Sequence, residues 1–269
     1  MPRILSRDGT PIAFDRVGQG PPLILVDGAL CYRASGPSGP LARLLQEHFT
    51  VYRYDRRGRG ESGDTTPYTV DREIDDLAAI IDEAGGSAFV YGVSSGAALA
   101  LEAANRGLPI GKLALYEAPF IVDDTHPPTP DDFVPRLEAA VASKRPGDAV
   151  KLFMQLVGVP RVFIVLMRWM PAWSKLTAVA HTIPYDITIV QEHQKGRPFP
   201  PRRWAGATAP TLVMDGGKSP AWMRNGMQAL ADALLNATYR TLPGQTHMVK
   251  ARVQVPALLE FFKGITPTV

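Results

Sequence analysis

A serine set between two glycines is the feature of this 269-residue sequence that most directly indicates chemistry. The segment Gly92-Val-Ser94-Ser-Gly96 has the pattern G-x-S-x-G, and it stands between an apolar run and an alanine-rich helical pattern. A strand-to-helix turn this tight imposes strained backbone angles on its central serine and leaves space for glycine alone on either side. The serine side chain then projects above the sheet. We therefore predict Ser94 as a catalytic nucleophile.

Two backbone N–H groups are expected to stabilise the negative charge that develops when a serine attacks a carbonyl group. The first donor is Ser95, because a helix N-terminus offers unpaired N–H groups and the positive end of the helix dipole. The second should come from the loop after an earlier apolar strand, which reads Asp27-Gly-Ala-Leu. We assign this second oxyanion donor to Ala29, with Leu30 as the next choice.

A histidine near the end of the sequence is placed to act as the general base. His247 closes the segment Pro243-Gly-Gln-Thr-His247, directly after a predicted strand over Thr238–Leu242. The order of serine first and histidine last agrees with a nucleophile turn of this kind. The other four histidines are more typical of surface or packing positions: His48, His126, His181 and His193.

Apolar runs and helical patterns alternate around these residues. Continuous aliphatic runs are typical of strands buried on both faces of a parallel sheet, and the turn residues 8–11 favour an antiparallel hairpin at the start. We predict an α/β fold with a mostly parallel central sheet flanked by helices. Proline-rich joints and helical patterns interrupt the alternation over residues 123–204. We interpret them as a helical cap inserted into a core of residues 1–122 and 205–269.

Four segments together resemble the successive landmarks of the α/β-hydrolase superfamily. They are Val26-Asp-Gly-Ala, Tyr54-Asp-Arg-Arg-Gly-Arg-Gly-Glu-Ser62, Gly92-Val-Ser-Ser-Gly96 and Gly244-Gln-Thr-His247. The resemblance implies that fold, and it implies a serine hydrolase with Ser94 and His247 in the catalytic roles. It also implies that Arg57, Gly58 and Gly60 shape a turn and are structural.

The acid that should orient His247 departs from the pattern of that family. Ser219 stands where members commonly carry an aspartate after the strand equivalent to Thr211–Met214. By resemblance to some haloalkane dehalogenases we favour Glu117, at the end of the preceding strand. Asp215 is the alternative, and a site without an acid is the third possibility. Asp27 is a second departure, since a carboxylate beside an oxyanion hole opposes the charge that develops there unless it is neutralised or turned away.

The resulting functional prediction is a carboxylesterase-like hydrolase. Its substrate would be an ester, lactone or thioester of a medium-sized hydrophobic compound, cleaved through an acyl-enzyme on Ser94. We expect most apolar side chains of the cap to form its own core and the rest to line a pocket: Phe153, Met154, Leu156, Phe163, Met167, Trp169, Met170 and Trp173. The alternative is a non-hydrolytic relative, either a cofactor-free lyase or cyclase or a small-molecule receptor.

Composition limits the partners. The sequence has 29 basic and 26 acidic residues, with a formal charge of +3 and scattered arginines, which does not favour nucleic acid. Phosphate-binding and dinucleotide-binding glycine patterns and metal-ligand spacings are missing, so we expect neither cofactor nor metal. One cysteine, Cys31, and the lack of a signal peptide or spanning segment favour a cytoplasmic protein without membrane contact. The sequence does not indicate an oligomeric state.

Overall fold

Eight strands form one sheet within the described part of the chain. The computed structural model describes residues 2–264. The strands are β1 Arg3–Leu5, β2 Pro11–Val17, β3 Pro22–Val26, β4 Thr50–Tyr54, β5 Ala88–Val93, β6 Ile110–Tyr116, β7 Thr211–Gly216 and β8 Ala237–Leu242. Their order in the sheet is β1-β2-β4-β3-β5-β6-β7-β8. Strand β2 is antiparallel to β1 and β4, and all the other pairs are parallel. The predicted mostly parallel sheet and initial hairpin are confirmed.

The direction of the connections reverses between β3 and β5. From β3 the chain passes to β4 on one side, and from β5 it passes to β6 on the other. A crevice opens beyond the carboxyl ends of two neighbouring parallel strands wherever their connections leave in opposite directions. Asp27 directly follows β3 and Ser94 directly follows β5, so the two segments with predicted oxyanion donors meet at this crevice.

Ten α-helices accompany the sheet within the described residues. They are α1 Ser38–Leu45, α2 Val70–Glu83, α3 Ser95–Asn105, α4 Phe133–Ala142, α5 Pro146–Leu156, α6 Arg161–Met167, α7 Ala172–Ala178, α8 Ile183–Val190, α9 Ala221–Ala233 and α10 Ala251–Lys263. Buried side chains of α2, α3 and α9 pack on one face of the sheet, and those of α1 and α10 pack on the other. Because helices cover both faces, the strands are apolar on both sides; all six residues of β7 are buried.

Helices occupy the chain between β6 and β7. Residues 117–210 contain α4 to α8 and two short 3-10 turns, and no strand. A separate apolar cluster holds these helices together through side chains such as Leu137, Val150 and Ile183, and Leu30 from the loop after β3 joins it. This helical insertion therefore packs directly against the loop that carries one predicted oxyanion donor. Its treatment as a separate cap domain stays a prediction.

Three of the eight apolar side chains that were expected either in the core of the cap or along a pocket are exposed. Phe163 is 56% exposed, Trp169 is 87% exposed and Met170 is 54% exposed. Helix α6 buries Ile164 and leaves Val162, Phe163, Val165 and Leu166 more than half exposed. None of the helices in residues 2–264 has the length and continuous apolar character needed to cross a bilayer.

Candidate active site

Ser94 lies in the turn between β5 and α3 with a strained backbone. Its φ of 58° and ψ of −129° fall in a region that residues other than glycine rarely adopt. A Cβ atom on Gly92 would lie 2.6 Å from the carbonyl oxygen of Gly96, and one on Gly96 would lie 2.3 Å from that of Val26. Both distances are too short for any side chain. The two glycines are therefore required by the close approach of strand, turn and helix.

The loop after β3 approaches the side chain of Ser94. A Cβ atom on Gly28 would lie 2.8 Å from Ser94 Cβ, and Leu30 turns the loop back with a φ of 61°. Within residues 2–264, neither the N–H of Ala29 nor that of Ser95 donates a hydrogen bond to another protein group. Both donors are thus available to a ligand in the crevice.

His247 and Glu117 form a hydrogen-bonded pair. His247 Nδ1 lies 2.8 Å from Glu117 Oε2, and the other carboxylate oxygen accepts a hydrogen bond from the Gly216 N–H at 2.7 Å. The Glu117 side chain is fully buried, whereas the imidazole is 38% exposed. An ionised carboxylate can only accept, so a neutral imidazole in this contact has its proton on Nδ1 and its lone pair on Nε2. This is the form that a general base requires.

Tyr116 connects the turn at Ser94 with the loop at His247. Its backbone carbonyl accepts a hydrogen bond from the Ser94 N–H at 2.9 Å, and its hydroxyl donates to the carbonyl oxygen of Thr246 at 2.7 Å. The next residue, Glu117, has a left-handed backbone with a φ of 46°. The end of β6 therefore contacts both loops. Over the part of the chain that is described, no hydrogen bond joins Ser94 to His247 directly.

Asp215 points away from this pair. Its Oδ2 accepts a hydrogen bond from the Tyr239 hydroxyl at 2.5 Å, and its Oδ1 has no partner among residues 2–264. Ser219 is 5% exposed, and its hydroxyl likewise has no partner in the described chain. The structure thus brings Glu117 to His247, while Asp215 contacts the neighbouring strand β8 instead.

Asp27 is turned toward α1. Its side chain is buried, and Oδ2 accepts a hydrogen bond from the Ser38 hydroxyl at 2.6 Å. Burial raises the pKa of this carboxyl group to about 6, although the hydrogen bond from Ser38 and the charge of Arg59 act in the opposite direction. The bond to Ser38 therefore turns this carboxyl group toward α1, and the raised pKa increases its neutral form only as the pH falls toward 6.

A buried aspartate of the insertion also contacts the site, and the sequence-based prediction omitted it. Asp186 of α8 accepts hydrogen bonds from Ser95, Arg56 and Arg59. Burial alone would raise the pKa of Asp186, but the charges of Arg59 and Arg56 hold it below its ordinary value. A single charged residue in the otherwise apolar helix α8 was the available signal, since a buried carboxylate requires a cation.

A groove within the helical insertion lies apart from this site. It has a volume of about 650 Å³, and α4, α5 and α6 line it with four arginines and one lysine. None of the candidate site residues contributes to its walls. Nowhere in residues 2–264 do three or more His, Cys, Asp or Glu side chains cluster in a way that could hold a metal ion.

Comparisons with known proteins agree with this fold. The model of the alpha/beta hydrolase family matches residues 18–249. The chain is 54% identical to an alpha/beta hydrolase from Sphaerobacter thermophilus DSM 20745, with 97% of this chain and 100% of that one covered and a TM-score of 0.90. An enol-lactonase from Burkholderia xenovorans LB400 is 22% identical over 97% and 99% of the two chains, with a TM-score of 0.69. A thermophilic esterase from Thermogutta terrifontis is 21% identical over 99% and 100%, with a TM-score of 0.67.

The chain belongs to the α/β hydrolase family. The match covers most of the sequence, and it includes the turn at Ser94 and the loop at His247. The resemblance inferred from the four sequence segments is confirmed, and the family supports a hydrolase acting on a small molecule.

Proposed function

We propose that this protein is a serine hydrolase that cleaves an ester, lactone or thioester of a medium-sized hydrophobic compound. The observation that carries the proposal is the 2.8 Å hydrogen bond between His247 Nδ1 and the buried Glu117 carboxylate, one strand away from the strained turn at Ser94. A buried carboxylate that orients an imidazole close to a strained serine is the arrangement that activates a hydroxyl nucleophile.

The proposed reaction proceeds in two acyl transfers. Ser94 Oγ attacks the carbonyl carbon while His247 Nε2 takes the hydroxyl proton, and the N–H groups of Ala29 and Ser95 bind the oxygen as it becomes negative. The bond to the leaving alcohol or thiol then breaks, and His247 returns the proton to it. Water attacks the acyl-enzyme in the same way, which releases the acid and restores Ser94.

Glu117 is the proposed acid, and Asp215 is not. Glu117 uses one oxygen to hold Nδ1–H of His247 and the other to bind the Gly216 N–H, so its carboxylate is fixed at both ends. A fixed carboxylate stabilises the imidazolium that forms after proton transfer. The contacts of Asp215 with Tyr239 support a structural role.

Residues 123–204 of the helical insertion are proposed to act as a cap that contributes apolar surface to the substrate site. Its apolar cluster includes Leu30, next to the proposed donor Ala29, which places apolar side chains beside the crevice. An apolar wall with a few directed polar groups is typical of sites for small hydrophobic compounds. Esterase and enol-lactonase functions occur among the solved structures of this fold.

A fluorophosphonate probe tests the proposal directly. The purified protein and its Ser94→Ala variant are treated with the probe, and the labelled residue is identified by mass spectrometry. We expect a label on Ser94 in the unaltered protein, no label in Ser94→Ala, and hydrolysis of p-nitrophenyl esters that Ser94→Ala and His247→Ala both abolish. A folded protein that neither labels nor hydrolyses such esters would contradict the proposal and favour a lyase, a cyclase or a ligand receptor.

A further inference from the structure

A cluster of buried charges joins α8 to the turn that follows β4. Asp186 accepts hydrogen bonds from Arg56 Nη1 at 2.8 Å and from Arg59 Nη2 at 2.7 Å. These three side chains are at most 2% exposed. Glu73 provides a second carboxylate for Arg56. Two guanidinium groups and two carboxylates balance in charge, and the loss of one member would leave a buried charge without compensation.

The two arginines also hold the backbone of the loop after β3. Arg59 Nη1 donates to the carbonyl oxygen of Gly28 at 2.8 Å, and Arg56 Nη1 donates to that of Asp27 at 3.2 Å. The Gly28 carbonyl and the Ala29 N–H belong to one planar trans peptide unit, so they point in opposite directions. The cation that fixes the carbonyl therefore also fixes the direction of the Ala29 N–H, and it polarises the peptide toward stronger donation.

Ser95 is held by the same carboxylate. Its hydroxyl donates to Asp186 Oδ1 at 2.7 Å, and Arg56 Nη1 reaches that hydroxyl at 3.3 Å. Ser95 is the first residue of α3, and its N–H is the other proposed oxyanion donor. Asp186 thus contacts Ser95 directly, and through Arg59 it also acts on the peptide that carries the Ala29 N–H.

We propose that Asp186 is a positioning residue for the oxyanion hole, acting through Ser95 and Arg59. This inference rests on the proposed function. When α8 packs on the core, the N–H groups of Ala29 and Ser95 take the positions that the transition state requires. The oxyanion hole therefore forms only when the insertion is packed on the core. The effect falls on the rate of acylation more than on substrate binding, because the oxyanion exists in the transition state and not in the bound substrate.

A second buried ion pair in the same turn provides a matched control. Arg57 donates two hydrogen bonds of 2.7 Å to Asp76, and both side chains are fully buried. The backbone carbonyl that Arg57 contacts is that of Arg72 in α2, not one in the loop after β3. Asp76→Asn and Asp186→Asn each remove one buried negative charge beside an arginine of this turn. A purely structural role for Asp186 predicts similar effects of the two substitutions.

The test compares rates of fluorophosphonate labelling of Ser94. In this reaction His247 takes the hydroxyl proton of Ser94, the Ser94 Oγ–P bond forms, the P–F bond breaks and fluoride leaves. The phosphoryl oxygen occupies the oxyanion hole. We expect the rate to fall about 10- to 100-fold in Asp186→Asn and about 3- to 10-fold in Ser95→Ala, since loss of a whole oxyanion donor costs about 100-fold or more. Asp76→Asn should stay within about twofold of the unaltered protein at a matched folded fraction.

Ester hydrolysis and melting temperature complete the comparison. In Asp186→Asn and Ser95→Ala, kcat should fall while KM changes by less than about twofold. Equal labelling rates in Asp186→Asn and Asp76→Asn would overturn the inference. Ser95→Ala keeps its backbone N–H and loses one hydrogen bond, so an unchanged rate there would overturn it even if Asp186→Asn does not fold. An unaltered protein that does not label at all would contradict the proposed function itself, and this inference with it.

Discussion

The carboxyl ends of β6 and β7 lie side by side, and each carries a fully buried carboxylate in a different environment. At the end of β6, both oxygens of Glu117 have partners, one on His247 and one on the Gly216 N–H. At the end of β7, Asp215 has one hydrogen bond, from Tyr239, and one oxygen without a partner in residues 2–264. The two carboxylates are therefore equally buried but differ in the number of their hydrogen bonds.

The difference shows that a position at the carboxyl end of a strand does not by itself bring a carboxylate within hydrogen-bond distance of His247. Asp215 belongs to β7 itself, and its side chain reaches the hydroxyl of Tyr239 on β8. Glu117 lies one residue beyond β6, where its left-handed backbone and longer side chain bring the carboxylate to the loop of His247. Direction and reach at the strand end decide the contact.

The largest expected effect is the loss of activity in Glu117→Gln. The amide keeps the size of the side chain but removes the charge that holds Nδ1–H and stabilises the imidazolium, so kcat/KM should fall about a thousandfold or more. Asp215→Asn, the matched substitution on the next strand, should leave kcat/KM within about threefold. Steady-state hydrolysis of a p-nitrophenyl ester measures both, and the reverse order would assign the acid to Asp215.

A third buried carboxylate, Asp27 at the end of β3, extends the comparison to pH. Its pKa is raised to about 6 by burial, so its contribution to stability is present below the unfolded pKa and is lost as the pH rises through 6. The change in the free energy of unfolding caused by Asp27→Asn should therefore be more favourable at pH 8 than at pH 4, by up to about 3 kcal/mol. Urea denaturation of both proteins at the two pH values provides the measurement. A difference that does not change with pH would show that Asp27 titrates normally.

Removal of the partner of Asp215 should affect stability and not activity. Tyr239→Phe deletes the hydroxyl that donates to Asp215 Oδ2, and the buried carboxylate then has no donor for either oxygen. We expect a loss of about 1–3 kcal/mol in the free energy of unfolding, with kcat unchanged. In an Asp215→Asn background the same substitution should cost less, which a double-mutant cycle measures. A large fall in kcat would show that the end of β7 takes part in catalysis.

The smallest expected effect concerns Ser219. Its buried hydroxyl has no partner within the described chain, so Ser219→Ala removes a desolvation cost and should stabilise the fold by up to about 1 kcal/mol. Thermal denaturation measures this gain, and ester hydrolysis should be unaffected. A marked loss of activity would indicate that Ser219 contributes to the site in place of an acid.

The sequence predicted best those parts of the fold and site that depend on local patterns. The eight strands of residues 2–264 follow from short apolar or alternating runs bounded by turn residues, and the turn at Ser94 follows from glycine spacing. Helices α1, α6, α7 and α8 were not predicted, because they are short and α8 is too apolar to show a periodic pattern.

Contacts between residues distant in the sequence were predictable in part. The choice of Glu117 depended on resemblance to other proteins, since no local pattern indicates which carboxylate reaches a histidine 130 positions later. The bond between Asp186 and Ser95 spans 91 positions and was not predicted. Such contacts depend on how the insertion packs on the core, and that packing has no signature within a short segment.

Tyr116 has a mechanical consequence for the site. Its carbonyl oxygen holds the backbone of Ser94, and its hydroxyl holds the backbone of Thr246, next to His247. A small displacement of β6 would therefore carry both loops in the same direction, and the separation of the two side chains would change less than the position of either. We therefore expect the distance between the proposed nucleophile and the proposed base to be insensitive to small motions of the strand that supports them.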